Sequence, residues 1–256
     1  MSRFLRIFAI ILGLQGSLTA ESLRIFSYNI KHGQGMDVKI DLERIAAVIA
    51  KEKPDLVALQ EVDVNCTRSG NIDIAAELGR MLKMEHRFSK SIDLQGGEYG
   101  VAVLSRLPVI KAIRHVLPGE GEPRTALEVQ VNGGSFGDVI SFVSIHNDWQ
   151  KEETRVMQVG AILAALKETT HPVILAGDFN GETDDASVQL IAQKPWQLLD
   201  KKGEKTCPSD VPKVEIDFFA IRGFGALESK CRVIEEKVAS DHRPIVAELS
   251  GAGAAD

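Results

Sequence analysis

The sequence predicts an α+β fold with mixed β-sheets, and two such sheets packed face to face and covered by helices would make a four-layer α/β/β/α sandwich. Short β-rich runs recur along the whole chain, and several are apolar on both faces, as strands covered on both sides must be. Amphipathic helical patterns separate some of these runs, while others follow one another across hairpin-like turns, so parallel and antiparallel neighbours must coexist. No Pro/Gly/Ser-rich linker, tandem repeat or low-complexity stretch divides the chain. One large domain over 21–256 is therefore expected.

Before that domain, residues 1–20 carry Arg3 and Arg6, an apolar run over 7–14 and a smaller, more polar stretch to Ala20. This is the layout of a signal peptide, with cleavage expected near Ala20 and a secreted or periplasmic product. An uncleaved N-terminal anchor is the alternative. The apolar run is shorter than the roughly 20 residues a membrane-spanning helix needs.

Strands are expected over 23–30, 56–62, 99–105, 125–131, 139–146, 173–176, 216–221 and 244–249. Helical patterns fall at 41–53, 72–84, 154–168 and 185–193. In the first helix Leu42, Ile45, Ala46 and Ile49 share one face, Asp41 stands where a cap belongs, and Pro54 follows the end. Gly133-Gly134 gives the clearest hairpin signal.

The formal charge of −6 becomes −8 if the leader is removed, because Arg3 and Arg6 leave with it. With only 5% aromatic residues, the chain lacks the basic, aromatic groove expected of a tight nucleic-acid binder. Cys66, Cys207 and Cys231 allow at most one intramolecular disulfide, and their spacing fits no zinc site.

The informative polar residues fall at strand ends, where α/β proteins gather their catalytic groups. Asn29 ends the first strand, Glu61 the second and His146 the fifth, and Asp178 and Asn180 follow the sixth. Asp217 and Asp241-His242 stand at or before the starts of late strands, which reach the same rim if they run the opposite way. Taken singly, each has an ordinary reading: Asn29 as a turn cap, Glu61 as a surface pair, His146 as a core histidine, and Asp178-Phe179-Asn180-Gly181 as a turn. Their joint order argues for a site.

That order resembles the endonuclease/exonuclease/phosphatase superfamily. The matching segments are Ser27-Tyr28-Asn29-Ile30, Leu59-Gln60-Glu61-Val62, Gly100-Val101-Ala102-Val103-Leu104-Ser105-Arg106, Ser144-Ile145-His146, Gly177-Asp178-Phe179-Asn180, Glu215-Ile216-Asp217-Phe218 and Ser240-Asp241-His242-Arg243-Pro244. The resemblance implies the same four-layer sandwich and a divalent-metal-dependent phosphoesterase, most simply a phosphodiesterase. Segments 31–37 and 93–100 resemble a compact bacterial branch, similar in turn to the phosphodiesterase-like domain of proteins linked to lipid-anchor remodelling. Relatives often carry a basic residue where Glu215 stands. The tryptophan- and arginine-rich signatures of inositol-phosphate phosphatases and apurinic-site nucleases are missing.

The resemblance implies roles that suit the residue types. Glu61, Asp241 and the amide oxygen of Asn29 are hard ligands for Mg²⁺, with Mn²⁺ or Ca²⁺ as alternatives. Asp178 would deprotonate the attacking water, and Asn180 would hold that water or a phosphate oxygen. Asp217 would fix the ring of His146, and His242 would donate to the phosphate. Both imidazoles, if protonated, would stabilise the transition state. Arg124 is placed to bind phosphate through its fork geometry, against the alternative of a solvated surface arginine. Tyr99 is a weaker candidate for the phosphate site, set against packing at a strand edge, and His32 is either a loop contribution to the site or a surface histidine.

The expected substrate is a phosphate ester: a lipid headgroup, a small metabolite or nucleic acid. The expected protein is a monomer with no obligate protein partner. A secreted nuclease is the competing enzyme reading, and a catalytically silent binding module on the same scaffold is the reading of another class.

Overall fold

The computed structural model describes residues 22–251, so the expected leader over 1–20 lies outside the described residues. The described residues form twelve strands and four α-helices. The first half holds β1 (Ser22–Asn29), α1 (Leu42–Glu52), β2 (Leu56–Val64), α2 (Ile74–Leu82), β3 (Glu85–Leu94), β4 (Gly97–Ser105), β5 (Val109–Leu117) and β6 (Arg124–Val131). The second holds β7 (Ile140–His146), α3 (Glu152–Ala165), β8 (Val173–Asp178), α4 (Ala186–Ile191), β9 (Gln197–Leu198), β10 (Asp217–Arg222), β11 (Leu227–Val233) and β12 (Ile245–Gly251).

The strands form two six-stranded mixed sheets, ordered β11-β12-β1-β2-β4-β3 and β5-β6-β7-β8-β10-β9. Only β1–β2 and β7–β8 pair in parallel, and each of these pairs is joined by one helix, α1 or α3. That is the crossover a parallel pair requires. The expected hairpin at Gly133-Gly134 joins the antiparallel β6 and β7, although a short 3₁₀ turn over Gly134–Phe136 makes the connection longer than a tight turn.

Three apolar clusters account for the four layers. Leu23, Ile25, Val101 and Val103 from one sheet meet Leu127, Val129, Phe142 and Phe219 from the other. The opposite face of the first sheet buries Phe26, Tyr28, Val57 and Leu59 under Ile45 and Ile49 of α1 and Leu78 of α2. On the second sheet, Val143, Ile145 and Leu175 lie under Val159 and Ile162 of α3 and Val188 of α4. Each such fully buried side chain contributes about 1.5–3 kcal/mol of burial free energy. This is why the central strands are apolar on both faces.

Asp41, Asp73 and Asp185 cap α1, α2 and α4 by accepting from Arg44, Ala76 and Ser187 backbone N–H groups, each at 2.9 Å. Each cap is worth about 1 kcal/mol. Lys53 closes α1 in a left-handed conformation just before Pro54. The three cysteines are all free thiols.

Gly177 is fixed by close packing at the parallel β7–β8 pair: a Cβ there would lie 1.9 Å from the Ile145 carbonyl oxygen. Gly177→Ala should therefore lower unfolding free energy by about 3 kcal/mol or more. Urea denaturation reads this, and an unchanged midpoint would show that the strands can part at no cost.

Candidate active site

The strand directions bring every expected residue to one rim. Asn29, Glu61, His146 and Asp178 stand at or near the C-terminal ends of β1, β2, β7 and β8, the strands of the two parallel pairs. Arg124 and Asp217 open β6 and β10, which run antiparallel to those neighbours, and Asp241-His242 precede β12. Glu61 sits at a bulge between Leu59 and Val62 with φ +57°, an uncommon conformation for a non-glycine residue. Such bulges turn a side chain out of the regular alternation.

Asp178 lies at the centre and is almost wholly buried. Its Oδ1 accepts from the Asn180 backbone N–H at 2.9 Å, and its Oδ2 accepts from Asn29 Nδ2 at 3.1 Å. The same Oδ2 faces Nε2 of His146 at 3.6 Å and Nε2 of His242 at 3.7 Å. Burial raises the Asp178 carboxyl from its usual acidic range to about 7, against the opposing pull of His242.

The two histidines are held in opposite states. His146 Nδ1 lies 2.9 Å from Arg124 Nη1. A guanidinium only donates, so Nδ1 is the acceptor and the hydrogen of the neutral ring is on Nε2, facing Asp178. Burial, the Arg124 charge and His242 together hold His146 well below its ordinary pKa. His242 places Nδ1 2.9 Å from Asp217 Oδ2. Burial opposes its charged form, but Asp217 and Asp178 overcome that and raise His242 well above the ordinary value.

Two expectations are corrected here. Asp217 fixes His242 and not His146, because β10 brings its carboxylate to the loop before β12 while Arg124 occupies the His146 ring. The paired imidazolium arrangement also fails, because Arg124 beside the buried His146 ring disfavours a second positive charge. Arg124 itself is no solvated surface group: it is 4% exposed and also pairs with Glu122 at 3.2 Å.

On the other side of Asn29 lie Glu61 and Asp241. Asn29 Nδ2 donates to Glu61 at 3.0 Å as well as to Asp178, and its Oδ1 accepts from the Lys31 backbone N–H at 3.1 Å. Asn29 thus bridges two carboxylates as a donor, and the ligand role expected for its amide oxygen is not the one this geometry presents. Asp241 pairs with Lys31 Nζ at 2.9 Å. Burial raises the Glu61 pKa, the nearby Asp241 charge adds to the rise, and Glu61 has no salt-bridge partner among the described residues. Without a close ion pair, Glu61 together with Asp241, whose charge it feels, offers hard oxygen donors of the kind a divalent ion takes. Asp178, Asp217 and His242 also bring potential ligand atoms within 4.8 Å of one another. That trio could hold an ion only if His242 gave up the proton that its two carboxylate neighbours favour.

Asn180 adopts φ +53°, and its Nδ2 donates to the Asn147 carbonyl at 3.1 Å. Glu215 is explained by an internal ion pair, 2.5 Å from the buried Lys201. Tyr99 is corrected from strand-edge packing to the wall of the active-site cavity, with the Arg68 guanidinium 5.3 Å from its ring centroid. His32 does not line that cavity. The sequence reasoning missed Arg68, Ile92, Leu94, Glu122 and Trp149, which do line it. Only Trp149 left a signal, as an aromatic residue three positions after a strand-end histidine.

Two packed six-stranded sheets with acids, histidines and an arginine converging at one rim define an α/β sandwich with a polar site at one end. The chain belongs to the Endonuclease/Exonuclease/phosphatase family, whose model matches residues 26–242. It is similar to a solved endonuclease/exonuclease/phosphatase from Beutenbergia cavernae, with 24% identity over 91% of this chain and 72% of that one, TM-score 0.74. A functionally unknown conserved protein from Enterococcus faecalis matches at 21% identity over 90% and 100% of the two chains, TM-score 0.74. A mannosyl-6-phosphatase from Bacteroides thetaiotaomicron matches at 17% identity over 89% and 99%, TM-score 0.71. These likenesses show the shared fold.

Asp217→Asn should lower the His242 pKa, because it removes a carboxylate charge that favours the imidazolium. The histidine ring-proton NMR titration measures this, and an unmoved His242 midpoint would remove Asp217 from that role.

Proposed function

We propose that this chain is a divalent-metal-dependent phosphodiesterase that hydrolyses a P–O bond by in-line attack of water. The observation that carries this reading is the convergence of both histidine Nε2 atoms on Asp178 Oδ2. One buried oxygen with a raised pKa stands beside two donors, the arrangement needed to take a proton from water next to a phosphate. The water oxygen bonds to phosphorus, its proton passes to Asp178, and the ester oxygen departs with the P–O electron pair. His242 as imidazolium and His146 through Nε2–H donate to phosphoryl oxygens, and Arg124 orients His146 and adds its own charge. Glu61 and Asp241 would hold the ion, Mg²⁺ or alternatively Mn²⁺ or Ca²⁺, which polarises the phosphoryl group and offsets charge on the leaving oxygen.

The charge of the site favours a diester. Because His146 is neutral and the Arg124 charge is shared with Glu122, the protein side chains complement a singly charged phosphate better than a dianionic monoester. The leader-like residues 1–20 support export to the periplasm or medium.

Purified protein should hydrolyse bis(p-nitrophenyl) phosphate with Mg²⁺ or Mn²⁺ and stop when EDTA is added; metal-independent turnover would overturn the mechanism. Asp178→Ala and His242→Ala should each reduce kcat/KM by about a hundredfold or more. Either variant at the wild-type rate would exclude that residue from the chemistry.

A further inference from the structure

The cavity that holds the catalytic groups has an outer half with a different character. Its volume is about 340 Å³, and beyond the inner acids and histidines Ile92, Leu94, Tyr99 and Trp149 line it together with the charged Arg68, Glu122 and Arg124. Trp149 is 63% exposed and belongs to none of the buried apolar clusters. Its loop is nonetheless fixed. Asp148 Oδ1 accepts from the backbone N–H groups of Gln150 at 2.9 Å and Lys151 at 2.8 Å, and the Asp148 backbone N–H donates to Gln158 at 2.8 Å. On the β4 side, Arg68 binds the wholly buried Asp63 through two bonds of 2.8 and 2.7 Å and lies over Tyr99.

The charges in the cavity are already matched. Arg68 pairs with Asp63, Arg124 with Glu122 and His242 with Asp217. Beside the rim, Lys90 pairs with Asp93 and Glu98. None of these cations is left to receive a second phosphate.

We infer that Trp149, with Ile92 and Leu94, forms a substrate-selecting shelf for an uncharged flat or apolar group attached to the scissile phosphate, and that the preferred substrate carries one phosphate. This rests on the phosphoesterase reading. A planar group stacked on an exposed tryptophan gains dispersion contact and displaces poorly held water without adding charge. Polymeric and multiply phosphorylated substrates would have to place further phosphates against Glu122 and other paired groups.

The test compares methylphenylphosphinate with dimethylphosphinate. Both are singly charged, neither has an ester bond to cleave, and they differ in carrying phenyl or methyl on phosphorus. With Mg²⁺ present, calorimetric titration of the full protein should give about tenfold tighter binding for the phenyl compound, accompanied by a change in tryptophan emission. Trp149→Ala should remove both the preference and the emission change, and Trp149→Phe should keep part of the preference. Equal binding of the two compounds, or a preference that survives in Trp149→Ala, would overturn the shelf while leaving the phosphoesterase reading intact. Failure of both to bind, with bis(p-nitrophenyl) phosphate uncleaved, would remove the underlying reading. Tighter, salt-sensitive binding of a twelve-residue oligothymidylate would overturn the single-phosphate preference.

Discussion

The buried carboxylate of Asp178 is the constraint around which the site is arranged. It ends a central strand of one sheet, yet one of its oxygens is satisfied by Asn29 from the other sheet. Its remaining neighbours are two imidazoles that lie close without forming short hydrogen bonds. Desolvation raises its proton affinity, and the carboxylate can stay buried only because amide donors hold it. The opposite protonation of the histidines follows from their partners: a cation sits against one ring and a carboxylate against the other.

The architecture that delivers these groups repeats itself. β1-α1-β2-α2-β3-β4-β5-β6 is followed by β7-α3-β8-α4-β9-β10-β11-β12 with the same sequence of elements. The last two strands of each half join the sheet built by the other half. Asn29 and His146 occupy corresponding strand ends, and Glu61 and Asp178 are likewise matched near the ends of β2 and β8. Arg124 at β6 and His242 before β12 form a third pair. The corresponding positions carry different residue types in the two halves, so the likeness lies in the order of elements and not in the sequence.

Legibility in the sequence followed burial. The eight anticipated strands all keep at least one apolar face, and several are apolar on both. β3, β5, β9 and β11 were not anticipated, and they are the four edge strands of the two sheets. Edge strands carry charged residues, as in Glu85-His86-Arg87 and Glu228-Ser229-Lys230, which blunt further pairing and erase the apolar signal. The site residues were legible because strand ends and family order point to them. Their partnerships were not, because whether Asp217 meets His146 or His242 depends on how β10 lies beside the loop before β12, a long-range placement that local patterns do not contain. Arg68 was hidden for the same reason, since its meaning comes from Asp63 and Tyr99.

Burial gives the Asp178 carboxylate the raised proton affinity that its proposed role as base requires. The Asp178 side-chain carboxyl carbon can be followed by NMR as metal-free protein is titrated. A midpoint near 7 is the predicted result. A midpoint at the ordinary aspartate value, about 3.9, would contradict the claim and leave the site without its base.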